Sequence, residues 1–402
     1  MEKISLKGFK GFKEQVEIEL KKLTIIFGYN NSGKSTLLRS IPLISDSFKN
    51  HVPSSYMHSY LNYSSDSLRG AIHADVLSKG ARDIEVSIDW TDIGIAFAVR
   101  QTAMEPEHLT KIDITKSGTK YQYRRSSYNN FIFENENDEK VNIPSFFDIS
   151  DSCLQTTIRE TANNVHWISS IRTAPPRVFN IGLGTKVGIN YKGDGIGETL
   201  WYVKKVSPEA FEVINDWLFE TTNRRLKLDS SSTQSEGQGR TVVQLKTATD
   251  KEEEKPVDII DSGEGIAQAL PVVTLCTMAK FGLLQDSPII AIEQPELHLH
   301  PKAIITLAEF IIDSVKDTKN TKLVIETHSE SFLLAIQSAI VKKEILNQNL
   351  SCYWIEKDNN TSSASKITFD EEGYIEGNWP QTVFREIIAQ SKELIQAREE
   401  KR

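Results

Sequence analysis

The chain has 402 residues, 39% of them hydrophobic and 25% charged, with a formal net charge of −8, a composition close to the soluble globular average. That acidic balance gives no global argument for nucleic-acid binding, which shows as a basic face, and leaves room only for a local basic patch. Cys153, Cys276 and Cys352 lie far apart without a CxxC pair, against a disulfide framework or zinc site; no apolar run can span a bilayer and Met1 to Lys7 lacks a signal-peptide stretch, so a cytoplasmic protein is expected.

Residues 3–27 read as strands: Ile4, Leu6 and Phe9 first, then Val16 to Leu20 with period two, then the apolar run Leu23 to Phe27. That run ends at Gly28, and Leu37, Leu38 and Ile41 follow at helical spacing, so the order is strand, glycine loop, helix. Residues 84–90 alternate as an antiparallel strand should, and more short strands follow to about residue 135. Residues 145–165 are expected to be helical. Residues 178–240 hold a glycine-rich stretch from Gly182 to Gly197, a helix starting at Ser207 with Pro208 in its first turn, and a loop from Ser230 to Gly239. Thr241 to Leu245 and Val257 to Ile260 read as strands, with the charged run Asp250 to Lys255 as a solvated turn between them. From residue 261 the pattern is α/β: a helix after Gly265, a buried strand Ile289 to Ile292, a helix over 301–316, a strand Lys322 to Glu326 and a helix over 329–347. No heptad run or internal repeat is present, which predicts no long coiled coil between the first loop and Asp261.

Four motifs carry chemistry. Gly28-Tyr-Asn-Asn-Ser-Gly33-Lys34-Ser35 fits the phosphate-binding G-x-x-x-x-G-K-[ST] loop (Walker A). Its glycines let backbone amides turn toward phosphate oxygens, Lys34 brings a point charge, Ser35 offers a hydroxyl to magnesium, and the next helix aims its positive end at the anion. Pro288 to Glu296 is an apolar strand ending in acids, the Walker B arrangement, in which Glu293 would hold magnesium. Asp261-Ser-Gly-Glu-Gly265 precedes a helix, where Ser262 and the glycine amides either bind phosphate or form a plain N-cap. His328, in Glu326-Thr-His328-Ser329, ends a strand and either faces the nucleotide crevice or is structural.

Taken in order, the four motifs resemble the ABC ATPase plan. The early antiparallel strands and Glu293-x-Pro-Glu-x-His-Leu-His-Pro301 resemble the OLD-like ATPases (overcoming lysogenization defect), related to the heads of structural-maintenance-of-chromosomes (SMC) and recombination-repair proteins. Ile168 to Arg177, Asp261 to Pro271 and the tail Phe369 to Pro380, with Asn378-Trp379-Pro380, resemble one bacterial AAA-family subgroup. The implied fold is α/β: an ABC/SMC-type ATPase head with a mixed sheet around the P-loop, an antiparallel β subdomain and an inserted helical and loop region. The expected divisions are 1–170 for an N-terminal lobe, 171–256 for the insertion and 257–402 for a C-terminal lobe.

The resemblance implies that Gly28, Asn30, Asn31, Ser32, Gly33, Lys34, Ser35 and Thr36 bind ATP, that Ser35 and Glu293 hold Mg2+, and that His328 senses the γ-phosphate. Ser262, Gly263 and Gly265 would act in trans on the nucleotide of a second copy, giving a homo-dimer or higher homo-oligomer. Aligning Pro295 puts Gln294 where most relatives carry the catalytic glutamate. Losing a general base costs about 10²–10⁴ in rate, roughly 3–5 kcal/mol, so hydrolysis is slow unless Glu296 or His328 substitutes. Arg172 and Arg177 have either a nucleotide or interface role or an ordinary packing and ion-pairing one. His73 and Asp75 lie where a glutamine loop is expected, or form an ordinary turn. The resemblance implies a sensor in bacterial anti-phage defence, controlling a separately encoded nuclease or toxin. The alternative is a repair ATPase clamping DNA through Lys7, Lys10, Lys13, Arg224, Arg225 and Lys227. A transporter-coupled ATPase fits the signature and the antiparallel strands poorly.

Overall fold

The computed structural model describes residues 1–49, 59–125, 132–135, 140–142, 146, 149, 151–182, 184–232, 241–249 and 255–377. The expected loop at 233–239, most of the charged run from Asp250, Trp379-Pro380 and the helix from Thr382 lie outside these residues.

The chain opens with β1 (Lys3–Lys7), β2 (Val16–Glu19) and β3 (Leu23–Gly28), followed by α1 (Lys34–Lys49). A short helix α2 (His73–Val76) precedes β4 (Ile84–Asp89), β5 (Ile93–Arg100), β6 (His108–Lys116), β7 (Thr119–Arg125), β8 (Ile132–Glu134) and β9 (Lys140–Asn142). Among the described residues, an antiparallel sheet runs β2-β1-β4-β5-β6-β7-β8-β9. The alternation read in residues 84–90 places Ile84, Val86 and Ile88 on its buried face.

Next come α3 (Ser152–Asn163), β10 (Val165–Ile168), β11 (Val178–Ile181), α4 (Ile196–Val206), α5 (Pro208–Thr222), β12 (Arg225–Ser232), β13 (Thr241–Ala248) and β14 (Val257–Asp258). The stretch 171–256 is thus more than helix and loop. Strands β11, β13 and β12 form a small antiparallel sheet, with β14 paired to β13. Reading Ser230 as the start of a loop missed that Ser230, Ser231 and Ser232 pair with Val243, Val242 and Thr241. Serines carry no strand signal of their own, and the pairing with β13 overrides their preference. The helices α2, α3, α4 and α5 have 4, 12, 11 and 15 residues, too short for a long coiled coil in this part of the described chain.

The last third supplies α6 (Glu264–Lys280), β15 (Ile289–Glu293), α7 (Pro301–Lys316), β16 (Lys322–Glu326), α8 (Glu330–Val341), β17 (Leu350–Asp358), β18 (Thr361–Phe369) and β19 (Ile375–Glu376). The central sheet runs β10-β15-β16-β3-β17-β18-β19. Its pairs from β10 to β17 are parallel, and β17 to β18 is antiparallel. Strands β3 and β15 are buried at every position, as expected for parallel strands covered on both faces. Period two splits β3 between two cores. Leu23, Ile25 and Phe27 pack on the side of α6 and α7, and Ile26 packs with Leu37 and Leu38 of α1 beneath the antiparallel sheet. Helix α6 is buried from Ala267 to Ala279, which fits a helix that is apolar all round.

The physical consequence is positional. Strands β3, β15 and β16 are parallel neighbours, so their C-terminal ends deliver the glycine loop, Glu293 and Glu326 to one edge of the sheet. Ligands bind open α/β sheets at this carboxyl edge.

Candidate nucleotide-binding site

A cavity of about 350 Å³ opens at that edge. It is lined by Asn30, Asn31, Ser32, Gly33, Lys34, Ser35 and Thr36, with Gln294, Glu326 and His328 from the neighbouring strand ends. The loop conformation depends on its glycines. Gly28 has φ 151°, and a Cβ there would stand 2.3 Å from the Ile355 carbonyl on the adjacent strand. Gly33 has φ 113°, and Asn31 takes a left-handed φ of 62°, which asparagine tolerates better than most residues.

Lys34 is 3% exposed and its Nζ donates to the Tyr29 carbonyl at 2.6 Å. Burial lowers its pKa to about 8, against the opposing pull of Glu326 and Glu296. Ser35, next along α1, donates its hydroxyl to Glu326 Oε1 at 2.7 Å. Glu326 is pushed up to about 7, first by burial and then by the nearby charge of Glu293. His328 is held down to about 4, first by burial and then by Lys34, so its imidazole is neutral at pH 7. Gln294 sits in the left-handed region at φ 42°, and its amide donates to the Glu326 carbonyl at 2.8 Å.

The remaining expected residues fall outside the cavity lining. Glu293, at the end of β15, is 1% exposed and forms a two-pronged ion pair with Arg39 of α1, both contacts at 2.6 Å. Glu296 lies behind the cavity. Its Oε1 accepts from the Thr327 hydroxyl at 2.6 Å and the His328 amide at 3.0 Å, and burial raises its pKa. Ser262, Gly263 and Gly265 do not line this pocket. The Ser262 hydroxyl shares a hydrogen bond with Thr247 at 2.6 Å and donates to the Asp258 carbonyl at 3.1 Å. Gly265 is close-packed instead, since a Cβ there would meet the His298 carbonyl at 2.3 Å.

For the two arginines, the structure displays packing at Arg172 and surface ion pairing at Arg177. Arg172 is buried, and donates to the carbonyls of Ser169, Gln268, Glu293 and Gln294, so it clamps the ends of β10 and β15 to α6. Burial lowers its pKa to about 10. Arg177 is exposed and bridges Asp258 and Asp261. His73 and Asp75 belong to α2 rather than to the cavity. The His73 ring bonds the Tyr63 hydroxyl at 2.9 Å, and Tyr63 also donates to Glu107. Of the basic residues considered for DNA, Lys7 pairs with Glu85, Arg224 donates to Thr247 and Arg225 pairs with Asp216.

Gly11, Lys357 and Ser362, which sequence reasoning missed, also line the cavity, as does Lys10, which it considered only as a DNA contact. Ser362 starts the β17–β18 return and lies against Gly11 and Gly33. No local signal marks these four. They meet the loop only because β17 pairs with β3 and the Phe9–Phe12 turn folds over it.

A strand–loop–helix phosphate cradle at the carboxyl edge of a mixed sheet, with acids at the ends of β15 and β16 and a neutral histidine just after β16, defines an ATPase of the SMC/AAA class. The chain belongs to the AAA ATPase domain family, whose profile matches residues 1–166 and 111–333. Among curated proteins, none matches the sequence. Among solved structures, the crystal structure of an SMC head bound to the C-winged helix domain of ScpA matches with a TM-score of 0.50 at 14% identity, covering 91% of this chain and 98% of that one. An Smc head domain with an extended coiled coil, bound to the C-terminal domain of ScpA derived from Pyrococcus furiosus, matches at 0.48 and 11% identity, covering 91% and 96%. The SMC head domain from Thermotoga maritima matches at 0.40 and 12% identity, covering 91% and 98%. The first of these supports the fold, an SMC-type ATPase head. No helix among the described residues is long and apolar enough to cross a membrane.

Proposed function

We propose that the chain binds Mg-ATP in the cavity lined by Asn30–Thr36, hydrolyses it slowly, and works as a nucleotide-dependent switch that controls a separately encoded effector in bacterial anti-phage defence. The observation that carries the slow switch is Gln294. It lines the cavity at the end of β15, where an acid would be needed to take a proton from water. Glu296, the nearest substitute in sequence, spends one carboxylate oxygen on the Thr327–His328 turn. His328 lines the cavity in its neutral form, suited to contact a γ-phosphate or a water. Magnesium, when bound, supplies charge neutralisation on the phosphates, and the Ser35 hydroxyl is positioned to meet it.

Closure of two copies head to tail is supported by the start of α6. Its N-cap residue Gly263 is exposed and makes no side-chain cap hydrogen bond. The first amides of this 17-residue helix therefore remain for an acceptor outside the helix. Since these residues do not line their own chain's cavity, the phosphate they would meet belongs to a second copy. The Ser262 contribution is then its position beside these amides, because its hydroxyl is already engaged. The defence role rests on the resemblance of Glu293–Pro301 to the OLD-like ATPases and of Ile168–Arg177, Asp261–Pro271 and the tail Phe369–Pro380 to one bacterial AAA-family subgroup.

The test is steady-state ATP turnover with mass by light scattering, on wild type, Lys34→Ala and Gln294→Glu. The expected result is slow turnover in wild type, ATP-driven assembly that Lys34→Ala loses, and turnover raised about 10²-fold in Gln294→Glu. Brisk wild-type turnover abolished by Glu296→Gln would replace the switch with a motor. Copurification with a neighbour-encoded protein, without salt-sensitive DNA binding, separates effector control from a DNA clamp.

A further inference from the structure

Two carboxylates stand side by side at the carboxyl edge of the central sheet. Glu293 of β15 and Glu326 of β16 are register partners in a parallel pair, so their side chains leave the same face of the sheet. Ser35 and Arg39, one helical turn apart on α1, address one acid each. The two acids are treated differently.

The Glu293 carboxylate is fully engaged. Oε1 accepts from Arg39 Nε at 2.6 Å and from the Trp167 indole at 3.0 Å. Oε2 accepts from Arg39 Nη2 at 2.6 Å, and from the Ser170 hydroxyl and amide at 3.3 and 3.4 Å. The Arg39 guanidinium also lies 5.9 Å from the Trp167 ring centre, and Trp167 in turn stacks on Tyr191 at 4.9 Å. A divalent cation at Glu293 would have to displace this guanidinium and leave a half-buried positive charge beside itself. Glu293 also does not line the cavity.

Glu326 shows the opposite. It lines the cavity and is 2% exposed; Oε1 receives the Ser35 hydroxyl, and Oε2 is buried with no hydrogen-bond partner. A buried carboxylate oxygen without a partner, on the same group that holds the metal-facing hydroxyl of the phosphate loop, asks for a cation. Mg2+ needs only one or two protein oxygens when phosphates and water complete its shell, and Ser35 with Glu326 supplies them.

We infer that Glu326, at the end of the strand beside Walker B, is the carboxylate that serves the nucleotide's Mg2+, and that Glu293, at the Walker B position, is withdrawn into a structural ion pair with Arg39. The inference rests on the proposal that the cavity binds ATP, and it names the protein side of the metal position there.

The test uses the full chain and separates nucleotide from metal. ATP affinity is measured by calorimetry in EDTA, and Mn2+ binding by electron paramagnetic resonance with a non-hydrolysable ATP analogue. The variants are Glu326→Gln, which keeps the acceptor for Ser35, and the double exchange Arg39→Gln with Glu293→Gln, which leaves no unpaired charge. Thermal melts confirm that each is folded. The expected result is a loss of Mn2+ affinity of about 10–100-fold in Glu326→Gln, with metal-free ATP affinity retained. The Arg39/Glu293 double variant keeps wild-type Mn2+ affinity. Loss of Mn2+ in the double variant, alone or together with Glu326→Gln, overturns the inference while leaving ATP binding in place. Failure of the wild type to bind ATP either in EDTA or with Mg2+ present overturns the reading of the cavity, and this inference with it.

Discussion

Glu296 accepts the Thr327 hydroxyl at 2.6 Å and the His328 amide at 3.0 Å through a single carboxylate oxygen. The loop after β15 is thereby tied to the turn after β16, and the turn carries the histidine that faces the cavity. The contact has the geometry of a tether. Its other oxygen, Oε2, is buried without a partner, and burial raises the pKa of the group.

Glu296→Ala and Glu296→Gln separate a tether from a base. Alanine leaves the Thr327 hydroxyl and His328 amide without their acceptor, and is expected to cost about 1–3 kcal/mol in denaturant unfolding. Glutamine keeps an acceptor in place, so stability and ATP turnover stay near wild type. Abolished turnover in a stably folded Glu296→Gln protein would instead make Glu296 the proton acceptor.

Gly265→Ala tests the start of α6. The new Cβ would stand 2.3 Å from the His298 carbonyl, which is backbone and cannot swing aside. The expected loss is about 1–3 kcal/mol of stability from overpacking. Because Gly265 lies outside the chain's own cavity, metal-free ATP affinity should hold while ATP-driven assembly weakens. Light scattering with and without ATP reads the difference.

Lys34 gives the binding reaction a pH dependence. With its pKa lowered to about 8 by burial, the free protein loses this charge as pH rises through about 8. ATP phosphates favour the charged form, so binding takes up a proton there and ATP affinity falls above pH 8. Calorimetry in buffers of different ionisation enthalpy measures that uptake. Lys34→Arg stays charged throughout the range and should lose the slope.

His166 gives stability its own pH dependence. Burial lowers its pKa from 6.5 to about 4, with Lys49 adding to the effect, and its Nε2 is buried without a partner. The folded protein binds fewer protons than the unfolded chain between those values, so unfolding is favoured as pH falls through 6.5 toward 4. The full loss is about 3 kcal/mol. Chemical denaturation of wild type and His166→Phe over this range checks it, and the variant should lack this share of the slope.

The phosphate loop was readable because its chemistry is local. Eight consecutive residues from Gly28 to Ser35 carry the glycines, the lysine and the hydroxyl, and backbone turning alone brings them together. The apolar runs Leu23 to Phe27, Ile289 to Ile292 and Lys322 to Glu326 announced the central strands for a similar reason, since burial on both faces demands continuous apolar sequence. The serines of β12 and the returns at β17 and β18 were harder, because cross-strand pairing decides such segments more than their own propensities do.

By itself, then, the sequence determined a P-loop ATPase: the cradle, the flanking strands and the absence of an acid at Gln294 are all written in contiguous residues. The tertiary structure decided what each side chain has left to offer. Strand order placed Glu326 under Ser35, and α1 supplied Arg39 to Glu293. Folding also enclosed Arg172 among backbone carbonyls, and brought Lys10 and Lys357 to the cavity from opposite ends of the chain. Motif spacing records which residues are near in sequence. Whether a buried carboxylate is free for a cation depends on neighbours hundreds of residues away, and only packing sets those.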